Sequence, residues 1–253
     1  MISMLTHQPK YSKSAHKFMA RELNRRFYAL FTGNTSIPKE RQYVTLANDQ
    51  DSSPTSEINQ YALSKFIKKS QFVGIDNNKI LIKKNKTKHP EAKFIHGDWN
   101  AKIRCGLNPG MIYLDSTYFA DKKPALDALK TTMSICNEET LLICNVMETN
   151  PRSGSGLNLD AQALISGLFH NQIAETFIDW NKNKENPTIE ENENSIMNIF
   201  SYVYRTTGKT KMRSFLFYKG LLPPENIIKN EFEEFDLWCK KEFDHILNIE
   251  RTL

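Results

Sequence analysis

Phe72-Val73-Gly74-Ile75-Asp76 and, further along, Lys93-Phe94-Ile95-His96-Gly97-Asp98-Trp99 share one pattern: a short apolar run that stops at an acidic turn. Runs this short, bounded by Gly and Asp, read as buried strands. The pattern extends in both directions. Residues 42–47 hold Tyr43, Val44 and Leu46, residues 110–114 end at Asp115, and residues 140–146 form the most apolar run of all. Helical spacing fills the intervals. After the first run a helix begins near Pro54 to Ser56, with Thr55 or Ser56 as its cap, and places Ile58, Tyr61, Ala62, Lys65 and Phe66 on one face. A basic helix or loop then leads to Pro90, a helix covers residues 124–136, and a longer one covers 157–180. Strands alternating with helices predict a parallel sheet covered on both faces.

The chain changes character after the acidic, Asn-rich loop 181–194. Residues 196–205 and 211–219, rich in Phe, Tyr, Ile and Val and joined by the compact turn 206–210, read as an antiparallel β-hairpin. Beyond Pro223-Pro224, helical spacing at Phe232, Phe235, Trp238, Cys239, Phe243 and Ile246 predicts a terminal helix docked on the core. At the other end Ala15, Phe18, Met19, Leu23, Phe27 and Leu30 recur at helical spacing up to a stop at Gly33, giving an amphipathic helix with a cationic outer face. The expected division is a basic helical extension (1–40), an α/β domain (41–220) and a helical tail (221–253).

With 253 residues, 40% of them hydrophobic, the chain can bury a large core, so disorder is not the default. No stretch reaches the roughly 18 apolar residues that cross a bilayer, and the first residues lack a signal-like apolar core. A soluble, cytoplasmic protein with no membrane partner is expected. Cys105, Cys136, Cys144 and Cys239 show no C-x-x-C spacing and read as reduced, buried thiols, and the six His show no metal-ligand spacing, so no metal is expected.

The net charge of +5 is unevenly spread: residues 1–41 carry eight Lys/Arg against Glu22 and Glu40, and residues 79–93 carry six Lys against Glu91. Clustered cations hold a polyanion by releasing its counterions, which makes nucleic acid a candidate partner, with Lys17, Arg21 and Arg25 of the first helix as contacts. Solvated helix faces account for the same charges equally well.

In an open parallel sheet, ligands bind beyond the carboxyl ends of the strands. Those ends are acidic here: Asp49 or Asp51, then Asp76, Asp98 and Asp115. This arrangement resembles the class I S-adenosylmethionine-dependent methyltransferases over roughly residues 43–220. The resemblance implies a Rossmann-like, doubly wound α/β fold whose mostly parallel seven-stranded sheet ends in an antiparallel hairpin. It also implies roles. Asp76, with Asn77 beside it, would bind the ribose hydroxyls of S-adenosylmethionine, a carboxylate being able to accept two hydrogen bonds from a diol. Asp98 would accept from the adenine amine and Trp99 would pack on the ring. The first loop departs from the family: Asn48-Asp49-Gln50-Asp51-Ser52-Ser53 stands where the family has a glycine-rich turn, so Asn48, Asp49, Asp51 and Ser53 would have to make the remaining cofactor contacts.

Asp115-Ser116-Thr117-Tyr118 resembles the D-P-P-Y motif of enzymes that methylate exocyclic amines in nucleic acids, with both prolines replaced. In that reading Asp115 orients the target amine, Tyr118 stacks on an extruded base, and Ser116 and Arg152, the latter in the loop 149–156, contact substrate. Other enzyme classes lack their marks. The turn Gly208-Lys209-Thr210 has no glycine five residues earlier, and neither G-x-G-x-x-G nor G-x-S-x-G occurs. Two functions stay open: a methyltransferase acting on an amino group of DNA or RNA, with a protein partner for target recognition possible, and a non-catalytic module that keeps the fold and binds nucleic acid or a protein.

Overall fold

Tyr43 and Val44 are neighbours on the first strand, both inaccessible to solvent, and they belong to two different cores. That is the geometry of a strand buried on both faces, where successive side chains alternate sides. The computed structural model describes residues 12–48, 50, 52–119, 123–137, 139–147, 197–205, 211–219, 223–243 and 250–252. The expected helix 157–180, the loops 149–156 and 181–194 and the turn 206–210 lie outside them.

Among the described residues eight strands form one sheet: β1 (Gln42–Leu46), β2 (Phe72–Asp76), β3 (Lys93–His96), β4 (Pro109–Phe119), β5 (Leu141–Met147), β6 (Met197–Arg205), β7 (Lys211–Lys219) and β8 (Glu250–Thr252), in the order β3-β2-β1-β4-β5-β7-β6-β8. The first five pair in parallel, whereas β7 joins β5, and β6 joins β7, in antiparallel fashion. The order reverses between β1 and β4, so the crevice for a ligand opens above their carboxyl ends.

The described helices are α1 (Ser12–Thr32), α2 (Glu57–Leu63), α3 (Lys79–Lys88), α4 (Trp99–Lys102), α5 (Lys123–Met133) and α6 (Glu225–Phe243). One core gathers α1, α2, Ile82 of α3 and α6 against Tyr43, Phe72, Met111 and Tyr113; the other gathers Trp99 of α4 and Leu129 and Met133 of α5 against Val44, Val73 and Ile112. Crossovers on opposite faces on either side of the reversal are what right-handed βαβ connections require. No helix among the described residues is long and apolar enough to cross a membrane. Cys136 and Cys144 are buried free thiols, each pushed up to about 12 first of all by burial, whereas Cys105 is free but exposed.

Four features differ from the sequence reading. Among the described residues the sheet has eight strands where seven were expected, because the tail does not stay helical: after α6 it returns as β8 and pairs with β6. The short polar segment Glu250-Arg251-Thr252 carries no apolar alternation that would announce a strand. α2 stops at Leu63 and Lys65 adopts φ +60°, so Phe66 reaches the core by a turn and not by helical continuation. β4 runs past Asp115 to Phe119 with a register irregularity against β5 between those residues. Ser116 and Thr117, unlike prolines, keep the N–H groups that let a strand continue. Finally, α1 is no appendage with all its cations outward: Met19, Leu23, Phe27 and Tyr28 are fully buried and Arg21 is buried with them.

Candidate strand-end site

The loop after β1 is held by side chains where glycines would have let the backbone fold tightly. Gln50 is buried, and its Oε1 accepts from the Ile58 N–H in the first turn of α2, a capping role that neither Ser56 nor Thr55 fills. Asn85 of α3 ties the loop from the other side, donating to the Asn48 carbonyl at 2.9 Å and accepting from the Gln50 N–H at 3.1 Å, while the His89 ring meets the Gln50 carbonyl at 3.2 Å. Ser53 closes the loop by accepting from the Thr55 N–H. Asp49 and Asp51 lie outside the described residues.

On the next two strands the acidic side chains face solvent. Asp76 is half-buried at the end of β2, and its Oδ1 accepts from the Asn78 N–H at 2.7 Å, while Oδ2 has no hydrogen bond among the described residues. Asn78 in turn caps α3 by accepting from the Ile80 and Leu81 N–H groups, and Asn77 is exposed, its carbonyl 3.0 Å from His96 Nε2. Across the strand pair, Gly97 donates its N–H to the Asp76 carbonyl and holds φ +144°, and a Cβ there would meet the Lys102 side chain at 2.5 Å. Glycine is required at that position. Exposed Asp98 then caps α4 through the Ala101 N–H. Trp99 does not accompany it. Its ring is buried in the α4–α5 core and its indole N–H donates to Thr132 Oγ1 at 2.9 Å, so it is a packing residue, not an exposed stacking platform.

Above β4 the site is closed and polar. Asp115 is buried; its Oδ1 accepts from Asn145 Nδ2 at 2.8 Å and its Oδ2 pairs with Lys17 Nζ at 3.1 Å. Asn145, at the matching position of β5, also accepts from Ser214 of β7. The first helix therefore reaches the strand ends: Lys17 touches Asp115, and Arg21 donates to the Lys17 and Thr55 carbonyls. Arg25 lies further up and pairs with Glu22. Ser116 and Tyr118 follow Asp115 on β4, but their side chains, like residue Arg152, lie outside what is described.

Beside this cluster sits a carboxyl that sequence reasoning missed. Glu57 is buried in the first turn of α2 and accepts a hydrogen bond from the Tyr43 hydroxyl. Burial pushes its carboxyl above the usual carboxylate range, and the neighbouring Asp115 charge adds to that; Arg21 and the hydrogen bonds from Tyr43 and Thr45 pull the other way. Burial likewise raises the Tyr43 and Tyr61 hydroxyls well above their ordinary value. Gln50, Glu57 and Asn145 shared a weak signal, a polar residue inside an apolar run or at a helix start. Nothing in the spacing, however, joins them to Lys17 and Arg21.

No protein-family model and no curated protein sequence matches the chain. Solved structures do match it. The plantazolicin methyltransferase BpumL, in complex with SAH, aligns at TM-score 0.53 and 12% identity over 82% of this chain and 85% of that one. The plantazolicin methyltransferase BamL, in complex with a triazolic desmethylPZN analog and SAH, aligns at TM-score 0.50 and 9% identity over 81% and 86%. At such identities the likeness speaks for the fold: the chain has the Rossmann-like α/β architecture of S-adenosylmethionine-dependent methyltransferases.

Proposed function

We propose that this protein is an S-adenosylmethionine-dependent methyltransferase whose target is an amino group of a nucleic acid. The observation that carries the reading is the pair of carboxylates at the ends of adjacent parallel strands, Asp76 with one oxygen held by the Asn78 N–H and Asp98 with one held by the Ala101 N–H of α4. A diol and an aromatic amine are the donors such a pair suits, and the nucleoside end of the cofactor supplies both. Solved proteins with this fold hold SAH, which supports the choice of ligand.

The fit is good at the nucleoside end. At the β1 loop the contacts would come from the Asn48 and Ser53 side chains and from a first α2 turn in which the buried Ser56 hydroxyl has no partner among the described residues. The cofactor supplies an electrophilic methyl group. Everything else falls to the chain. Asp76 and Asp98 hold the nucleoside, α1 and α2 exclude water over β1 and β4, and Asp115 orients the amine through the oxygen that Lys17 now occupies. Lys17 is more than half exposed, so exchanging it for a target amine costs little.

Isothermal titration with SAH tests the first step. Wild type is expected to bind with one-to-one stoichiometry and Asp76→Ala to bind at least tenfold more weakly at an unchanged unfolding midpoint. Absence of heat with wild type sinks the proposal. The interlocked β1 loop favours one other reading, a non-catalytic module that keeps the fold. Incubation of DNA, RNA and protein fractions with methyl-labelled cofactor separates the two, since the module incorporates nothing.

A further inference from the structure

Charge along α3 is arranged in a way the proposed reading leaves unused. Ile82, Asn85 and His89 face inward, the first into the core and the others onto the β1 loop. Lys79, Lys83 and Lys86 follow one another at intervals of four and three residues on the outer side, all exposed, and Lys93 at the start of β3 is exposed as well. The neighbouring row, Ile80, Lys84, Thr87 and Lys88, lines a shallow open groove of about 360 Å³ together with Lys83. Ile80 leaves 82% of its surface to solvent. One acidic residue, Glu91, stands within residues 79–93.

The cations of α1 are placed otherwise. Arg21 is buried, Arg25 and Arg26 pair with Glu22, Arg26 also pairs with Glu231 and lies over the rings of Phe235 and Trp238, and Lys17 is bound to Asp115. Polyanion binding derives its free energy from exposed cations whose counterions can be released, and paired or buried ones contribute little.

We propose that the lysine row of α3 is the surface that holds a nucleic-acid backbone. From Lys79 to Lys86 the helix rises about 10 Å, a span that covers roughly three phosphates of one strand. Its first turn follows directly on Asp76 and is capped by Asn78, so a strand lying along α3 arrives beside the strand-end site. The inference rests on the methyltransferase reading only for what that strand is brought to, and not for the binding itself.

The test measures fluorescence anisotropy of a labelled single-stranded RNA and its DNA counterpart at several salt concentrations, with SAH titration run in parallel. Lys79→Glu/Lys83→Glu/Lys86→Glu/Lys93→Glu is expected to weaken binding at least tenfold. The four-site Lys→Gln variant is expected to make the slope of log K against log salt shallower by about 3, close to 0.7 per lost contact on a single strand. Lys229→Glu, on exposed α6 surface, should change neither. Unaltered affinity and slope in both variants, no binding of either nucleic acid by wild type, or preferential capture of a synthetic peptide with the acidic sequence 181–194 would each overturn the proposal. Loss of nucleic-acid binding in the variants of a protein that takes up no SAH would uphold this surface and reject the methyltransferase reading.

Discussion

Helices α1 and α3 each hold five Lys or Arg, yet the fold uses the two sets in opposite ways. In α1 the apolar residues form a broad stripe, Phe18, Met19, Leu23, Phe27 and Phe31, which sinks deep enough to take Arg21 with it and leaves Arg25 and Arg26 half-buried beside Glu22 and Glu231. In α3 Ile82 is the one hydrophobic side chain that is fully buried, and the lysines stay in water. Charge counts along a chain do not tell whether a cation is structural or available. The width of the apolar stripe does.

Phe27 carries the greatest weight in α1: it is fully buried and meets Phe232 of α6 edge-on at 4.9 Å. Phe27→Ala is expected to cost about 3–5 kcal/mol in urea unfolding. A loss below about 1 kcal/mol would place α1 on the surface, as α3 is.

Arg21 gives the next largest effect. Arg21→Met removes two hydrogen bonds that the buried Arg21 donates to backbone carbonyls and should cost about 1–3 kcal/mol. It also removes the cation that holds the Glu57 carboxyl down. Because the folded value of Glu57 lies above the unfolded one, the stability linked to its protonation is fully present below the ordinary carboxylate value and is lost as pH rises through the raised folded value. Wild-type unfolding free energy should therefore fall across that window. Glu57→Gln should flatten this part of the curve and Arg21→Met should move it to higher pH. Superimposable pH profiles for wild type and Glu57→Gln would remove Glu57 from the account.

Smaller changes sharpen the contrast. The Lys17–Asp115 pair joins an exposed cation to a buried carboxylate, so Lys17→Ala should cost no more than about 1 kcal/mol, read as a shift of the unfolding midpoint. Lys83→Ala, with no ion pair among the described residues, should stay within about 0.5 kcal/mol of wild type. A larger loss there would reveal a structural role for the α3 lysines.

The parallel core was legible because buried strands and amphipathic helices differ in period, and the runs at Tyr43, Val73, Phe94, Ile112 and Leu142 all lie on strands. Strand ends were legible too, since Asp76 and Asp98 terminate apolar runs. What escaped was tertiary. Trp99 follows an acidic turn and reads as a site residue, but the β3-to-β4 crossover drops it on the far face of the sheet. Lys17 and Asp115 are 98 residues apart and meet only because α1 lies across the strand ends. The missing glycines suggested an altered loop without saying how: a glutamine folded inward, with Asn85 of the next helix and His89 just past its end, does the bracing.

The two short outer strands bear on solubility in crowded surroundings. A sheet bounded by long bare strands invites a second copy to continue its ladder, the first step of fibre growth. Here one margin is β3, four residues long and beginning with Lys93, and the other is the three-residue β8, with Glu250 and Arg251, laid over Ser201 to Val203 of β6. Returning the tail to the sheet thus puts charged residues over the middle of the nine-residue β6, where a further strand would otherwise add.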